Sequence, residues 1–362
     1  MGRAWLARAL VGLDDHGNWM VKEVGNLTLL ASERDRTAGP MKKLDVVVCG
    51  EVNAELILWN HPFPELEKEK LAERMLFTFG GSSAIFAYNL AALGAKVGFV
   101  TVLGKDALGD YLFKRLREQK IDLRHLRRSR NTPTGITVTM FMPPHKSMVT
   151  CTGTIAALRL RDIPFDYLRS ARHLHVGCFF LQKNLQAGAA TLFRRAKKLG
   201  LTTSLDTNWD PSEQWDSGLK AILPHVDIFL PNEDEALRIT AERDLHRALD
   251  ALAKIVPIVV VKRGEKGAVL GAGAKVMEAP ALPAKFLEST GAGDTFDAGF
   301  VFRFVGGAPL EECLRFANAC GALAVTGLGG TTAFAARKNV KVFLERELRR
   351  HPSATERPRE ER

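Results

Sequence analysis

The sequence predicts an α/β protein: a doubly wound, mostly parallel sheet flanked by helices, with a small β lid. Three observations predict it. From Leu44 onward, short β-branched runs alternate with longer stretches of helical periodicity. Several of the short runs are apolar almost throughout, as strands covered on both faces are. Glycines close two of the helical stretches where a C-cap belongs.

Taken in order, strands are expected at LDVVVCG (44–50), AKVGFVTVLG (95–104), ARHLHVGCFF (171–180), LTTSLDTN (201–208), VDIFLPN (226–232) and IVPIVVVKRG (255–264). Helices are expected at SSAIFAYNLAALG (82–94), ALGDYLFKRLREQK (107–120), QAGAATLFRRAKKLG (186–200) and NEDEALRIT (232–240). Two segments break this rhythm. GITVTMFMPPHKSMVTCTG (135–153) holds two period-2 runs joined by Pro-Pro-His-Lys, which reads as an antiparallel hairpin; ELILWNHPFPE with RMLFTFGG, spanning 55–81, reads as another. Lid segments are therefore placed near 55–79 and 136–152, over the carboxyl ends of the parallel strands, where open α/β folds bind ligands.

The main domain is bounded at 41–345. Residues 1–40 contain WLARALVGL, too short for a membrane span and followed by Asp14 and Asp15 without a cleavage site. They read as an upstream extension or a misassigned start, since a second methionine opens MKKLDVVVCGE at 41. Residues 346–362 read as a charged, disordered tail. No transmembrane segment is expected, and the cytoplasm is the expected compartment.

The 362 residues carry a net charge of +10, which raises nucleic acid as a partner. The basic residues are scattered, with Arg124, Arg127, Arg128 and Arg130 in one loop and Arg194, Arg195, Lys197 and Lys198 ending one helix. No aromatic-interleaved stripe accompanies them, so an anionic small molecule is the expected partner instead. Five cysteines at unrelated spacings inside apolar segments read as buried, reduced thiols.

The chemistry concentrates in STGAGDTF (289–296). Side-chain-free backbone lets a ligand come close, and a helix N-terminus offers unpaired N–H groups to an anion. An acid directly beside such an anion site is costly unless it acts. Read alone, the stretch is also compatible with a glycine-rich helix entry whose aspartate complements the helix dipole. NEDE likewise makes a helix start, with Asn232 as N-cap and Glu235 at the third position.

Several motifs in sequence order now carry a resemblance. ESTGAGDTFDAGF, TFGGSSAIFAYNLAALG, CGEVNAELIL, LPNEDEAL, VVVKRGEKGAVL and FANACGALAVTGLGG resemble the ribokinase-like (PfkB) carbohydrate kinase family from about Leu44 to Thr332. The resemblance implies an ATP- and Mg²⁺-dependent kinase. In it, Gly291, Ala292 and Gly293 form an anion hole for the transferring phosphoryl, and Asp294 is the base that takes the proton of the attacking hydroxyl. It further implies that Asn53, Glu55, Gly80, Gly81, Asp206 and Asn208 meet the sugar and that Asn232, Lys262, Gly264, Gly267 and Asn318 meet the nucleotide. Glu235 organises Mg²⁺ through water, and Glu288 stands at the family's monovalent-cation position, implying K⁺.

Four positions depart from the family pattern: Glu55 and Glu288 each replace an aspartate, Ile85 an asparagine, and Lys262 a threonine or serine. The implied acceptor is a primary hydroxyl of fructose, ribose or a 2-keto-3-deoxygluconate-type sugar acid. A nucleoside stacked on Phe141, Phe179 or Trp209 is the alternative, and a non-catalytic sugar-binding relative the second. Trp209 or Trp215 is expected to form an apolar wall, and a homodimer through the lid is also implied.

Overall fold

The computed structural model describes residues 10–13, 19–22, 42–60, 62–142 and 145–350. The chain divides into two compact units, Met1–Met41 and Lys42–Arg362. In the first, Leu10–Leu13 and Trp19–Lys22 pair as an antiparallel hairpin. The rest of the 1–40 extension lies outside the described residues.

In the second unit the elements that position the site are β1 (Leu44–Cys49), β2 (Asn53–Trp59), β3 (Arg74–Gly80), α1 (Ser82–Ala92), β4 (Val97–Val100), β5 (Ile136–Met142), β6 (His145–Cys151), β7 (Ala171–Val176), β8 (Thr202–Leu205), β9 (Ile228–Phe229), α2 (Glu233–Thr240), β10 (Ile258–Lys262), β11 (Ala268–Ala272), β12 (Lys275–Ala279), α3 (Ala292–Val305) and α4 (Leu310–Ala324). The main sheet has eight strands in the order β12-β11-β10-β9-β8-β7-β1-β4. Pairing is parallel from β10 to β4, and β11 and β12 run antiparallel at one edge. That edge hairpin was not expected from the sequence.

The chain leaves β1 toward β4 on one side and returns to β7 on the other, so the strand order reverses between β1 and β7. Such a switch point opens a crevice at the strand carboxyl ends. Both faces of β1 are covered: Val47 and Cys49 pack in one hydrophobic cluster and Val46 and Val48 in the opposite one. Double coverage explains why these strands read as unbroken apolar runs. All eleven residues of α1 are buried. Gly94 and Gly200 end their helices with φ of 111° and 75°, the left-handed cap that the sequence signals.

The two period-2 excursions form one four-stranded sheet, β6-β5-β2-β3, in which β2 and β5 are parallel and the outer pairs antiparallel. Its register puts Asn53, Glu55 and Ile57 of β2 on one face with Thr137, Thr139 and Phe141 of β5 and Leu76 and Thr78 of β3. That face meets the main body: Leu76, Thr78 and Ile57 crowd Gly329. Two expectations need correction. A helix at Arg337–Arg350 carries the main unit past residue 345, and Cys151, at the end of β6, is exposed while the other four cysteines are buried and free. Among the described residues no helix is long and apolar enough to cross a membrane.

Candidate active site

Helix α3 begins at the carboxyl-end side of the sheet with Gly291 as its N-cap, in the left-handed region at φ 73°. A Cβ there would lie 2.6 Å from Gly330 Cα and 3.0 Å from Ile85 Cγ2, so only glycine fits. Ile85 explains itself here: it packs under Gly291 and Gly330 and supports the turn rather than reaching a sugar. Asn89, one helical turn on, donates to Thr295 Oγ1 at 2.7 Å and to the Gly330 carbonyl at 2.9 Å, pinning the same two segments.

Glu288 locks the turn from the other side. It is fully buried, and its oxygens accept from Thr290 N–H at 2.5 Å and Gly329 N–H at 3.0 Å. Both oxygens of this residue, expected at a monovalent-cation position, are thus tied to backbone donors of the turn. Of the expected anion hole, Ala292 N–H donates to the Ser289 carbonyl at 3.2 Å, whereas the N–H groups of Gly291 and Gly293, and of the following Asp294, have no backbone acceptor among the described residues.

Asp294 is half-buried beside these donors. Burial, reinforced by the charge of Asp206, pushes its carboxyl up to about 6, while Lys262 and a hydrogen bond from Ser82 oppose the rise. Ser82 also accepts from Asn208 Nδ2 at 2.6 Å, so the base is held by a polar chain from β8's end to the start of α1. Ser82 was missed in the sequence. So was Glu51, just after β1, whose carboxylate accepts from Ser83 Oγ at 2.6 Å and Ser83 N at 3.1 Å; burial pushes it up to about 8.

On the lid side, Glu55 is buried. Its Oε1 accepts from Thr139 at 2.9 Å, and its Oε2 has no partner. Burial pushes it up to about 7, with Thr139 opposing and Glu288 adding to the shift. Oε2 points at Gly80, where a Cβ would stand 2.9 Å away; at Gly81, φ 94°, a Cβ would stand 2.9 Å from Asn53 Oδ1. The paired glycines therefore let the chain pass close to Asn53 and Glu55. Asn53 itself is tied to Thr137 Oγ1 at 3.0 Å.

Asp206 and Asn208, expected at the sugar, hydrogen-bond to neighbouring protein groups. Asp206 Oδ2 accepts from Lys262 Nζ at 2.5 Å, and Oδ1 from Asn208 N–H at 2.8 Å. Burial works against this charge, but Lys262 outweighs it and holds the Asp206 carboxyl below its ordinary range. Trp209 is 42% exposed, with Arg238 5.0 Å over its ring and Trp215 edge-on at 4.9 Å, so it is a covered surface ring and not an inner wall. Trp215 is buried and edge-on to Phe180 in the core.

On the far side of α3's start lies a cavity of about 660 Å³. Asn232, Lys262, Gly264, Gly267 and Asn318, all expected at the nucleotide, line it together with Ala292 and Gly293. Gly267, φ 87°, would place a Cβ 2.1 Å from the Ala279 carbonyl oxygen. Asn318 donates to the Ala279 and Pro280 carbonyls at 3.0 and 3.1 Å, so it braces the cavity wall. Glu235 closes a capping box with Asn232, accepting from its N at 3.0 Å and Nδ2 at 2.7 Å. Burial pushes it up to about 7, with Asp206 adding and Lys262 opposing.

A cavity large enough for a nucleotide reaches the first turn of α3 at Ala292 and Gly293, and the carboxyls of Asp294 and buried Glu55 lie within electrostatic reach of each other next to that turn. That order of parts defines a kinase acting on small hydroxyl compounds. The chain matches the pfkB family carbohydrate kinase over residues 43–337 and belongs to that family. It is 30% identical to the ribokinase of Arabidopsis thaliana over 323 residues, 83% of this chain and 81% of that one. The structure of that ribokinase complexed with ribose and ATP aligns at TM-score 0.71 with 28% identity, over 83% of this chain and 99% of that one. It is also 28% identical to an ATP-dependent 6-phosphofructokinase of Thermoanaerobacterium thermosaccharolyticum (80% of this chain, 90% of that one) and 31% identical to a cytidine kinase of Thermococcus kodakarensis (75% and 92%).

Proposed function

We propose that this kinase transfers the γ-phosphoryl of ATP to a primary hydroxyl of a small sugar or sugar acid. The observation that carries the reading is the placement of Asp294, a raised carboxyl in the helix turn that borders the nucleotide cavity, beside two N–H groups without a backbone acceptor and within electrostatic reach of buried Glu55. In this account Asp294 takes the hydroxyl proton, and the Gly293 and Asp294 N–H groups stabilise the charge on the transferring oxygens. Mg²⁺ fits the site as a phosphate-bound ion. Among the described residues no three ligating side chains cluster, yet Asp206, Asp294 and Glu235 give the region negative charge. Mg²⁺ keeps several waters and needs few protein ligands. When bound, it neutralises nucleotide oxygens; Glu235 would orient its waters.

Glu55 Oε2, buried and unpaired, suits a donor hydroxyl of the acceptor. Glu55→Gln turns an N–H₂ toward that hydroxyl and is expected to raise the acceptor KM roughly 10–100-fold, leaving the ATP KM unchanged, because a buried polar group then goes unpaired. Steady-state kinetics varying each substrate checks this; equal changes in both constants would count against it.

The nucleoside reading, favoured by the cytidine kinase similarity, needs an aromatic platform. Of the three rings considered, Phe179 and Phe141 are both buried, leaving Trp209, which is 42% exposed but flanked by Arg238 and Trp215. The small-sugar reading therefore fits better, and thermal shift with sugars against nucleosides separates the two. A non-catalytic role is countered by the intact Asp294 and its free N–H donors.

The proposed assembly is a homodimer through the outer lid face. Met75 (66% exposed), Phe77 (36%) and Val149 (63%) lie on that face, and β6 presents an unpaired edge. Light scattering after size exclusion is expected to give twice the chain mass, and Val149→Lys to give a monomer. A monomeric wild type at assay concentration overturns this. The proposed compartment is the cytoplasm, supported by five free cysteines.

A further inference from the structure

We infer that Lys262 is a catalytic residue whose ammonium contacts the terminal phosphate oxygens of the bound nucleotide, a cation built into the transfer site. The inference rests on the kinase reading above and assigns a role to a residue at which the chain departs from its family's usual hydroxyl side chain.

The geometry is specific. Lys262 ends β10 and lines the nucleotide cavity. Its Nζ lies 2.5 Å from Asp206 Oδ2 and 3.0 Å from Asp297 Oδ2. An ammonium has three N–H donors, and among the described residues only these two are engaged. The same Nζ stands 3.5 Å from where a Cβ on Gly293 would be, against the first turn of α3. The lysine therefore reaches the site of the unsatisfied N–H groups with one donor to spare, and its side chain remains 12% accessible.

Two further facts separate this from a purely structural ion pair. First, Asp297 is buried on the inner face of α3, where burial pushes its carboxyl well above the ordinary range, while Lys262 holds Asp206 below its own. The ammonium is thus held by two carboxyls of unlike acidity and keeps a third donor. Second, the N–H groups of Gly293 and Asp294, without backbone acceptors among the described residues, belong to the helix turn against which Lys262 Nζ lies, and Asp294 and Glu235 are within electrostatic reach. A polyphosphate entering this acidic region needs a cation near the point of transfer, and a tethered ammonium supplies it without reorganisation.

The test is calorimetric titration of the full chain with Mg²⁺ and two probes, AMP-PNP and AMP, for wild type, Lys262→Met and Lys262→Arg. The expected result is a Lys262→Met affinity for AMP-PNP lower by roughly 10–100-fold, AMP affinity unchanged, and partial recovery of AMP-PNP binding in Lys262→Arg. Should Lys262→Met fail to fold, with Asp206 left unpaired, the double variant Lys262→Met/Asp206→Asn removes that charge and carries the same expectation. Equal losses for AMP and AMP-PNP, or none for AMP-PNP, overturn the role of Lys262 alone. A wild type that binds AMP-PNP no better than AMP overturns it together with the kinase reading.

Discussion

Asp294→Asn is expected to lower turnover by roughly 10²–10⁴-fold while nucleotide binding persists, the usual contribution of a positioned general base. The amide keeps the shape of the side chain and its contact with Ser82, so the loss reports proton acceptance. Because the folded carboxyl titrates at about 6, wild-type kcat/KM should fall about tenfold per pH unit below that value, and the fall should vanish from the residual activity of the variant. Stability should move the other way. The folded pKa lies above the unfolded value of 3.8, so the folded state binds the proton more tightly, and stability is lost as pH rises between those values. Asp294→Asn should therefore raise Tm at pH 8 and change it little at pH 4. A variant with full turnover would remove Asp294 from the mechanism.

Gly291→Ala is the second large effect. The new Cβ would meet backbone at Gly330, which a side-chain rotation cannot relieve, and the left-handed φ adds strain. We expect a loss of about 1–3 kcal/mol of stability and, in the folded fraction, a turnover loss of roughly 10²–10³-fold as the Gly293 and Asp294 donors move off the phosphoryl. Chemical denaturation and single-turnover kinetics measure the two separately. Wild-type kinetics in Gly291→Ala would show that the turn is not the anion site.

Much of this was legible in the sequence because it is local. Asp294 follows a glycine turn at a helix start, a pattern contained in eight residues. The lid strands show period 2, and the apolar parallel strands read from their composition. What stayed hidden is long-range. Lys262 finds Asp206 56 residues away and Asp297 35 residues away, and Asn208 reaches Ser82 across 126; no spacing rule announces such pairs. They tie Asp206 to Lys262, which lines the cavity. One signal was available: Asp297, three residues after Asp294, interrupts the buried face of α3, where an acid needs a partner. The edge hairpin β11–β12 escaped notice because the glycines and alanines of GAVLGAGAKVMEA blur its alternation. Glu288 reads in sequence as the family's monovalent-cation position, and only the fold shows both its oxygens accepting from backbone N–H groups.

The most direct measurement is coupled ADP release from Mg-ATP with fructose, ribose, 2-keto-3-deoxygluconate, other ketoses and adenosine as acceptors, run in parallel on wild type and Asp294→Asn. The account predicts acceptor-dependent turnover with a sugar or sugar acid that collapses in the variant. Turnover that survives in Asp294→Asn, or ATP binding without turnover on any acceptor, would contradict it.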